Sequence, residues 1–274
     1  MENKWTKDYI MKRLQEHYED ALKLYPEEQI VGIFLQGSQN YGVAYEDSDV
    51  DTKLLILPSL EDLCKGKNPV SSVHIRDNNE HIDIKDIRCL IDLLKGENPS
   101  YLEILFTNYY IINPKYQDLF QELKTYRDII PQASMNRFLK SIKGMANQKY
   151  CAMEHRYPTK ISVIDKFGYD PKQLHHLIRL ADFLTKFLKT YKLSDCYDAG
   201  YLAEYLIEIK KGKYSLDEAR KYGKKTLTFI NNTVITFINQ NPQYNQVDNQ
   251  LFDILEQIQI KLMKTYITNI IKGD

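Results

Sequence analysis

The sequence lacks the features of disulfide-rich, zinc-binding and membrane-spanning proteins. It has 4 cysteines in 274 residues, far apart and without a C-x-x-C pair, which argues against a zinc site or a dithiol motif. No apolar run reaches the roughly 18 residues that a membrane span needs. The N-terminal stretch is charged throughout and lacks the apolar core of a signal peptide. We therefore expect a cytoplasmic protein with reduced thiols and no membrane partner.

The chain also lacks a net charge, because 37 basic residues balance 37 acidic ones. This balance excludes a globally basic nucleic-acid binder but leaves room for a local basic face. Residues 137–192 have such a bias, with twelve Lys and Arg side chains against four Asp and Glu. A cationic segment in an otherwise acidic chain suits an anionic ligand held together with metal ions. Solvated helix faces are the alternative for most of these lysines.

Hydrophobic periodicity predicts an α+β fold in two parts. Apolar residues at helical spacing predict a helix over 6–24, and apolar runs predict strands over 30–35 and 50–57. The other predicted elements are a hairpin of residues 72–76 and 80–87, a helix over 86–95, and helices over 132–155, 171–191, 197–211, 215–240 and 248–271. We thus expect a small mixed sheet with helices in residues 1–130, followed by a helical domain in residues 131–274.

A Gly37-Ser38 pair directly follows the first predicted strand. Glycine lets the backbone approach a ligand closely, and free N–H groups at the start of a following helix can hold phosphate oxygens. Ser38 would add a hydroxyl donor. The pair is therefore a candidate phosphate-binding turn, with an ordinary Gly-Ser turn as the alternative.

Two acids, Asp49-x-Asp51, lead into the second predicted strand. Residues two apart in a strand point to the same side, and adjacent carboxylates repel each other unless a cation lies between them. Such oxygen ligands suit Mg²⁺ or Mn²⁺. Asp83 would reach the same metals if its strand, 80–87, runs beside 50–57. In the alternative, Asp83 faces water.

A further motif lies in the helical part. An Asp-Pro pair at positions 170–171 suits the N-cap and first turn of a helix. Lys172, His176 and Arg179 then share one face of that helix, where they could clamp a triphosphate or an acceptor phosphate. A core-facing, hydrogen-bonded His176 is the alternative, and we expect the neighbouring His175 to be exposed.

Together these motifs resemble the YcgL-like group of predicted nucleotidyltransferases in the DNA polymerase β superfamily, which includes RNA-ligase-associated proteins. The likeness runs from about residue 30 to 185 and rests on these segments: Gly37-Ser38-x-x-Tyr41-Gly42, Asp47-Ser48-Asp49-x-Asp51, Lys85-Asp86-Ile87, Leu94-Lys95-Gly96-Glu97-Asn98-Pro99, Leu102-Glu103-Ile104-Leu105-Phe106, and Gly168-Tyr169-Asp170-Pro171-Lys172 with His176 and Arg179. The resemblance implies a polymerase-β-type core followed by a helical domain.

The resemblance also implies an activity, namely transfer of a nucleoside monophosphate from an NTP to an acceptor hydroxyl with release of pyrophosphate. It implies two divalent cations, Mg²⁺ or Mn²⁺, held by the catalytic residues Asp49, Asp51 and Asp83. It assigns nucleotide binding to Gly37, Ser38, Lys172, His176 and Arg179. An RNA end is the first acceptor it suggests. The alternatives are AMPylation of a protein partner, transfer to a small-molecule hydroxyl, and a catalytically idle nucleotide sensor.

Overall fold

The computed structural model describes residues 4–272, and packing divides them into two units. Unit 1 holds residues 4–40, 46–133 and 248–272, and unit 2 holds residues 41–45 and 134–247. The predicted division into 1–130 and 131–274 differs from this one in three places, since residues 131–133 and the C-terminal helix pack in unit 1 and the short segment 41–45 packs in unit 2.

Unit 1 is built on a mixed sheet. The strands found within residues 4–272 are β1 (Ile30–Gln36), β2 (Asp51–Ile56), β3 (Ser71–Ile75), β4 (His81–Asp86) and β5 (Tyr110–Ile112), in the spatial order β3-β4-β2-β1-β5. β2 pairs antiparallel with β1 and parallel with β4, and β3 and β4 form an antiparallel hairpin. The predicted α+β class, the hairpin and the pairing of the second strand with Asp83's strand are all confirmed.

The helices surround this sheet and make up most of unit 2. In chain order they are α1 (Lys7–Leu24), α2 (Leu60–Cys64), α3 (Ile87–Lys95), α4 (Pro99–Leu102), α5 (Gln117–Thr125), α6 (Ile130–Ala133), α7 (Met135–Ala152), α8 (Ile161–Phe167), α9 (Pro171–Thr190), α10 (Ala203–Lys210), α11 (Leu216–Gln240) and α12 (Asn249–Lys272). No helix among the described residues combines the length and the apolar character that crossing a membrane requires.

The first and last helices complete the core of unit 1. The N-cap Thr6 starts α1 by accepting the Tyr9 N–H, and the α1 residue Leu14 packs against the sheet residues Ile33 and Leu54. α12 packs against α3 and α5. Its apolar stripe is buried at Leu251, Leu255, Ile258 and Leu262, whereas Ile254 is exposed. The stripe therefore fills the core of unit 1, which is why α12 does not belong with the other C-terminal helices.

Unit 2 is helical, and α9 is its central element. α9 packs against α7, α10 and α11, and it buries apolar side chains on several sides: Leu174, Leu177, Leu180, Phe183, Leu184 and Phe187. The helix predicted over 197–211 begins later, at Ala203, after a 3-10 turn over Gly200–Leu202. A positive φ of 55° at Gly200 marks the irregular backbone that delays it.

Candidate active site

The Gly37-Ser38 turn closes β1. Gly37 has a φ of +98°, in the left-handed region that favours glycine. A Cβ at this position would meet nothing within 4 Å, so the backbone conformation, rather than lack of space, requires the glycine. Residues 38–42 form turns instead of the helix start that the phosphate-binding interpretation assumed.

Glu103, the residue directly after α4, holds this turn by hydrogen bonds. Its Oε1 accepts the Gly37 N–H at 2.7 Å and the Asn40 side-chain amide at 2.7 Å. Asn40 also donates to the Leu35 carbonyl at 2.9 Å and accepts from Thr107 Oγ1 at 2.8 Å. Glu103 is 4% exposed, so these bonds to its carboxylate lie out of water. The sequence reasoning gave Glu103 no role, although a lone acid in an apolar run was a visible signal.

The two acids of the Asp49-x-Asp51 motif have different environments. β2 begins at Asp51, so Asp49 precedes the strand, and the same-side placement expected from strand alternation does not apply to it. Asp49 is exposed, and its carbonyl accepts the Gln39 side-chain amide at 2.7 Å. Asp51 Oδ1 accepts the His81 N–H at 3.0 Å. The motif is thereby tied both to the Gly37-Ser38 turn and to β4.

Parallel pairing of β2 with β4 places Asp83 beside Lys53. Aligned residues of adjacent strands point to the same side of a sheet, so Asp51, Lys53, Asp83 and Lys85 share one face. The side chains of Asp83 and Lys85 are 18% and 12% exposed. The alternative in which Asp83 simply faces water is therefore wrong, because the side chain is enclosed by partners.

Three residues hold the Asp83 carboxylate, and the sequence reasoning gave none of them a role. Lys85 Nζ lies 3.1 Å from Oδ1, the Tyr101 hydroxyl donates to Oδ2 at 3.0 Å, and Lys53 Nζ lies 3.8 Å from Oδ2. Both strands carry the pattern Asp-x-Lys, beginning at Asp51 and at Asp83. This pattern puts a cation next to each acid on the same face, and it was the signal available in the sequence.

Lys53 brings positive charge into the interior of this face. It is 4% exposed, donates to the side-chain carbonyl of Gln36, and lies 4.8 Å above the centre of the Tyr101 ring. Burial lowers the pKa of the Lys53 ammonium below its usual 10.5, although the Glu103 and Asp83 carboxylates raise it. The acids of this face thus have cationic neighbours from the protein itself.

The three predicted acids, Asp49, Asp51 and Asp83, fit a hard divalent cation only in part. Asp49 is exposed and the Asp51 side chain is 22% exposed, and carboxylates of this kind suit Mg²⁺ or Mn²⁺. In the part of the chain that the structure describes, no three His, Cys, Asp or Glu side chains form a group that could hold a metal ion. Asp83 has the right chemistry but is bonded to Lys85 and Tyr101. Asp49 and Asp51 have the chemistry to hold a cation, although Asp51 Oδ1 also lies 3.2 Å from His81 Nδ1, and Asp83 would have to exchange its Lys85 and Tyr101 partners first.

The second predicted motif lies in unit 2. Asp170 is the N-cap of α9 and accepts the Lys172 N–H at 2.9 Å, as predicted. Lys172 is exposed, and the Arg179 guanidinium lies 3.7 Å from the centre of the Tyr41 ring, within unit 2. Burial lowers the pKa of His176 well below 6.5, and nearby cations lower it further. His176 is therefore neutral at pH 7 and would meet an anion as a hydrogen-bond donor.

The expectation that His175 is exposed is wrong. His175 is 1% exposed, and its Nδ1 lies 2.9 Å from the Leu206 carbonyl. Burial lowers the pKa of His175 to about 3, with Lys210 adding to the shift. The reason is the packing of α9 on three helices, which makes its buried face wider than the single apolar stripe of a surface helix.

Lys149 of α7 joins the basic residues of α9. Burial lowers the pKa of Lys149, repulsion from Lys172 and Arg179 lowers it further, and Asp170 opposes the shift. The partly buried Lys149 and Arg179 and the exposed Lys172 repel one another, and a bound anion would reduce this repulsion. The sequence reasoning counted Lys149 among the basic residues of 137–192 but did not single it out.

Comparison with known proteins identifies the class. A family model described as "RNA repair pathway DNA polymerase beta family" (RlaP) matches residues 7–191, more than half of the chain. The protein is a nucleotidyltransferase of the DNA polymerase β type, as the resemblance implied. More narrowly, the chain belongs to this RNA repair pathway DNA polymerase beta family.

Among solved structures, the chain is similar to a nucleotidyltransferase-like protein from Exiguobacterium sibiricum. The two are 12% identical, and the match covers 96% of this chain and 92% of that chain with a TM-score of 0.32. No curated protein matches the chain in sequence.

Proposed function

We propose that the protein transfers a nucleoside monophosphate from an NTP to the hydroxyl of an RNA end, with release of pyrophosphate and dependence on a divalent cation. One observation carries this proposal. Asp51 and Asp83 lie on the same face of two adjacent strands of unit 1. The same unit contains the Gly37-Ser38 turn, whose Gly37 N–H bonds to Glu103. The RNA acceptor is favoured by the family, whose description refers to RNA repair.

Asp49 and Asp51 are the residues proposed to hold the cation. When bound there, Mg²⁺ or Mn²⁺ would offset negative charge on the phosphates and on the attacking oxygen. Ser38 is proposed as the phosphate donor of the turn, because Glu103 already accepts the Gly37 N–H. Asp83 would accept the proton of the attacking hydroxyl after releasing one of the partners that hold its carboxylate, Lys85 or Tyr101. The resemblance assigns Lys172, His176 and Arg179 to the nucleotide, and this assignment stays a prediction.

The test follows α-phosphate label from each NTP separately, with Mg²⁺ or Mn²⁺, into total RNA and in parallel into an RNA-free lysate. We expect label in RNA with one preferred base. The Asp51→Asn variant should lose this label, because it removes charge but keeps an oxygen that can accept the His81 N–H. Asp47→Asn is the matched control, since Asp47 is an exposed acid in the same segment. Label in protein alone would replace the RNA acceptor with AMPylation, and no label in RNA or protein would contradict the RNA acceptor and favour a small-molecule acceptor or a nucleotide sensor.

A further inference from the structure

The strand that carries Asp51 has a second face, turned away from the acids. Thr52, Leu54 and Ile56 alternate with Asp51 and Lys53 along β2, so they point to the opposite side of the sheet. Leu54 and Ile56 pack in one core cluster with Leu14 and Ala21 of α1. Polar contacts between α1 and this apolar face of β2 therefore reach the strand from the side opposite to the Asp51 carboxylate.

A continuous chain of three buried polar side chains runs across this face. His17 of α1 has Nδ1 3.0 Å from Thr52 Oγ1 and Nε2 2.9 Å from Glu80 Oε2. His17 and Thr52 are fully buried, and Glu80 is 7% exposed. Because no substrate can reach these groups, the carboxylate, imidazole and hydroxyl fix one another's orientation rather than react.

Glu80, the last of these three side chains, also contacts the Asp49-x-Asp51 motif directly. Glu80 Oε1 accepts the N–H of Val50 at 3.2 Å, and Val50 is the residue between Asp49 and Asp51. The next residue after Glu80, His81, donates its N–H to Asp51 Oδ1 at 3.0 Å. Residues 80 and 81 thus hold both the backbone and the carboxylate of the motif.

Two arginines keep Glu80 charged in its buried position. Arg13 bonds to Glu80, and Arg76 Nη1 lies 3.1 Å from Glu80 Oε2. Burial alone would raise the pKa of the Glu80 carboxyl, but hydrogen bonds from His17, Asn78 and Arg13 hold it well below 4.5. A charged acceptor binds the Val50 N–H more strongly than a neutral one.

We propose that Glu80 is a positioning residue for the Asp49-x-Asp51 motif. Through Val50 directly, and through His17 and Thr52 from the opposite face of β2, it sets the backbone from which both acids project. The proposal rests on the proposed function, since it concerns the cation that these acids are proposed to hold. It makes the acid motif a pre-organised site, in which supporting groups of this kind typically change metal affinity about 10- to 100-fold.

The test uses two readouts on the full chain, with two disruptive variants and one variant, Thr52→Ser, that keeps the hydroxyl. Thr52→Val removes the hydroxyl at nearly constant volume, and Glu80→Ala removes the acceptor of the Val50 N–H. Hydrogen exchange of the Val50 amide reports its position without any ligand. The dissociation constant for Mn²⁺ alone, from electron paramagnetic resonance of free Mn²⁺, reports the acids. Glu19→Gln is the control, because Glu19 is an exposed α1 acid whose contact is with Gln15.

We expect Glu80→Ala to expose the Val50 amide to exchange and both variants to raise the Mn²⁺ dissociation constant about tenfold, with Thr52→Ser restoring it. A lower melting temperature with wild-type Mn²⁺ affinity would overturn the proposal by making the network purely structural. Should the wild type itself bind no Mn²⁺ and transfer no label, the proposed function fails, and that outcome is distinguished by the wild-type measurement alone.

Discussion

The sheet of unit 1 and the helices α7 and α9 of unit 2 carry positive charge in opposite ways. On the sheet, Lys53 and Lys85 lie against the carboxylate of Asp83. In unit 2, Lys149 and Lys172 repel each other, and the acid that opposes the pKa shift of Lys149 also serves as the N-cap of α9. Paired charges organise a surface in advance, whereas crowded like charges leave electrostatic energy that a bound anion can release.

This contrast assigns different tasks to the two regions. A face that pairs acids with lysines can hold a cation and orient a reacting group, so its loss should act on the chemical step. A basic helix face should act on nucleotide binding. Kinetic parameters separate the two, because a contact made equally in ground and transition states changes KM, while a contact made only in the transition state changes kcat.

The largest expected effect is the loss of turnover in Asp51→Asn. We expect kcat to fall at least about a thousandfold, on the scale of lost electrostatic stabilisation of the transition state, with little change in melting temperature. Arg179→Gln should instead raise KM for the NTP about tenfold, the scale of one lost charge-assisted contact. Labelled-NTP kinetics on purified variants would measure both. A kcat loss in Arg179→Gln as large as that in Asp51→Asn would remove the division of tasks.

Much of the architecture around Asp51 could be predicted from the sequence. Apolar runs and their turns predict β1, β2 and the β3–β4 hairpin, since alternation and turn chemistry are local properties. Strand reasoning proposed Asp83 on the condition that its strand lies beside 50–57, and the parallel pairing confirmed that this strand lies next to β2. What local patterns gave was therefore the existence and order of elements, together with the residue types that carry chemistry.

The missed features depend on contacts between residues far apart in sequence. Glu103 reaches Gly37 across 66 positions, and Glu80 reaches His17 across 63, which no period along the chain can reveal. His175 was expected in water because a single helix was considered, while α9 is enclosed by three neighbours. Likewise, the stripe of α12 shows that it buries a face but does not identify the unit against which it packs.

The next largest expected effect concerns the lysine–carboxylate pairs on the sheet of unit 1. Lys53→Met removes a buried cation and leaves the Asp83 and Glu103 carboxylates with less compensation, so we expect unfolding free energy to fall by about 3 kcal/mol. Lys65→Met is the control, because Lys65 forms an exposed pair with Glu61 that should contribute about 0.5 kcal/mol or less. Urea unfolding of both variants measures the difference. Equal values for the two would show that burial of Lys53 does not couple it to the acids.

The pH dependence of stability tests the paired charges of unit 1 through Glu80, which bonds to Arg13 and Arg76. Its folded-state pKa lies below the usual 4.5, because hydrogen bonds from His17, Asn78 and Arg13 outweigh burial. A lowered carboxyl pKa adds stability that is complete above about pH 4.5 and is lost as the pH falls below it. As the pH falls from 5 through the folded-state pKa of Glu80, we expect the unfolding free energy of the wild type to fall by about 2 kcal/mol more than that of Glu80→Gln. This is the scale for one such carboxylate. Urea unfolding at each pH measures this difference. An equal loss of unfolding free energy in the two proteins would contradict the lowered pKa of Glu80.

The smallest effect tests the unpaired side, and its sign is opposite to that of Lys53→Met. Lys149 is partly buried and is repelled by Lys172 and Arg179, so Lys149→Met should raise unfolding free energy by about 1 kcal/mol. The same variant should bind inorganic triphosphate more weakly, because the charge that destabilises the free protein is the charge that attracts the anion. Lys140→Met, exposed on the same helix, should change neither quantity. Calorimetric titration with triphosphate and thermal unfolding measure the two effects on one preparation, and a stabilised Lys149→Met with full triphosphate affinity would mean that this repulsion serves no ligand.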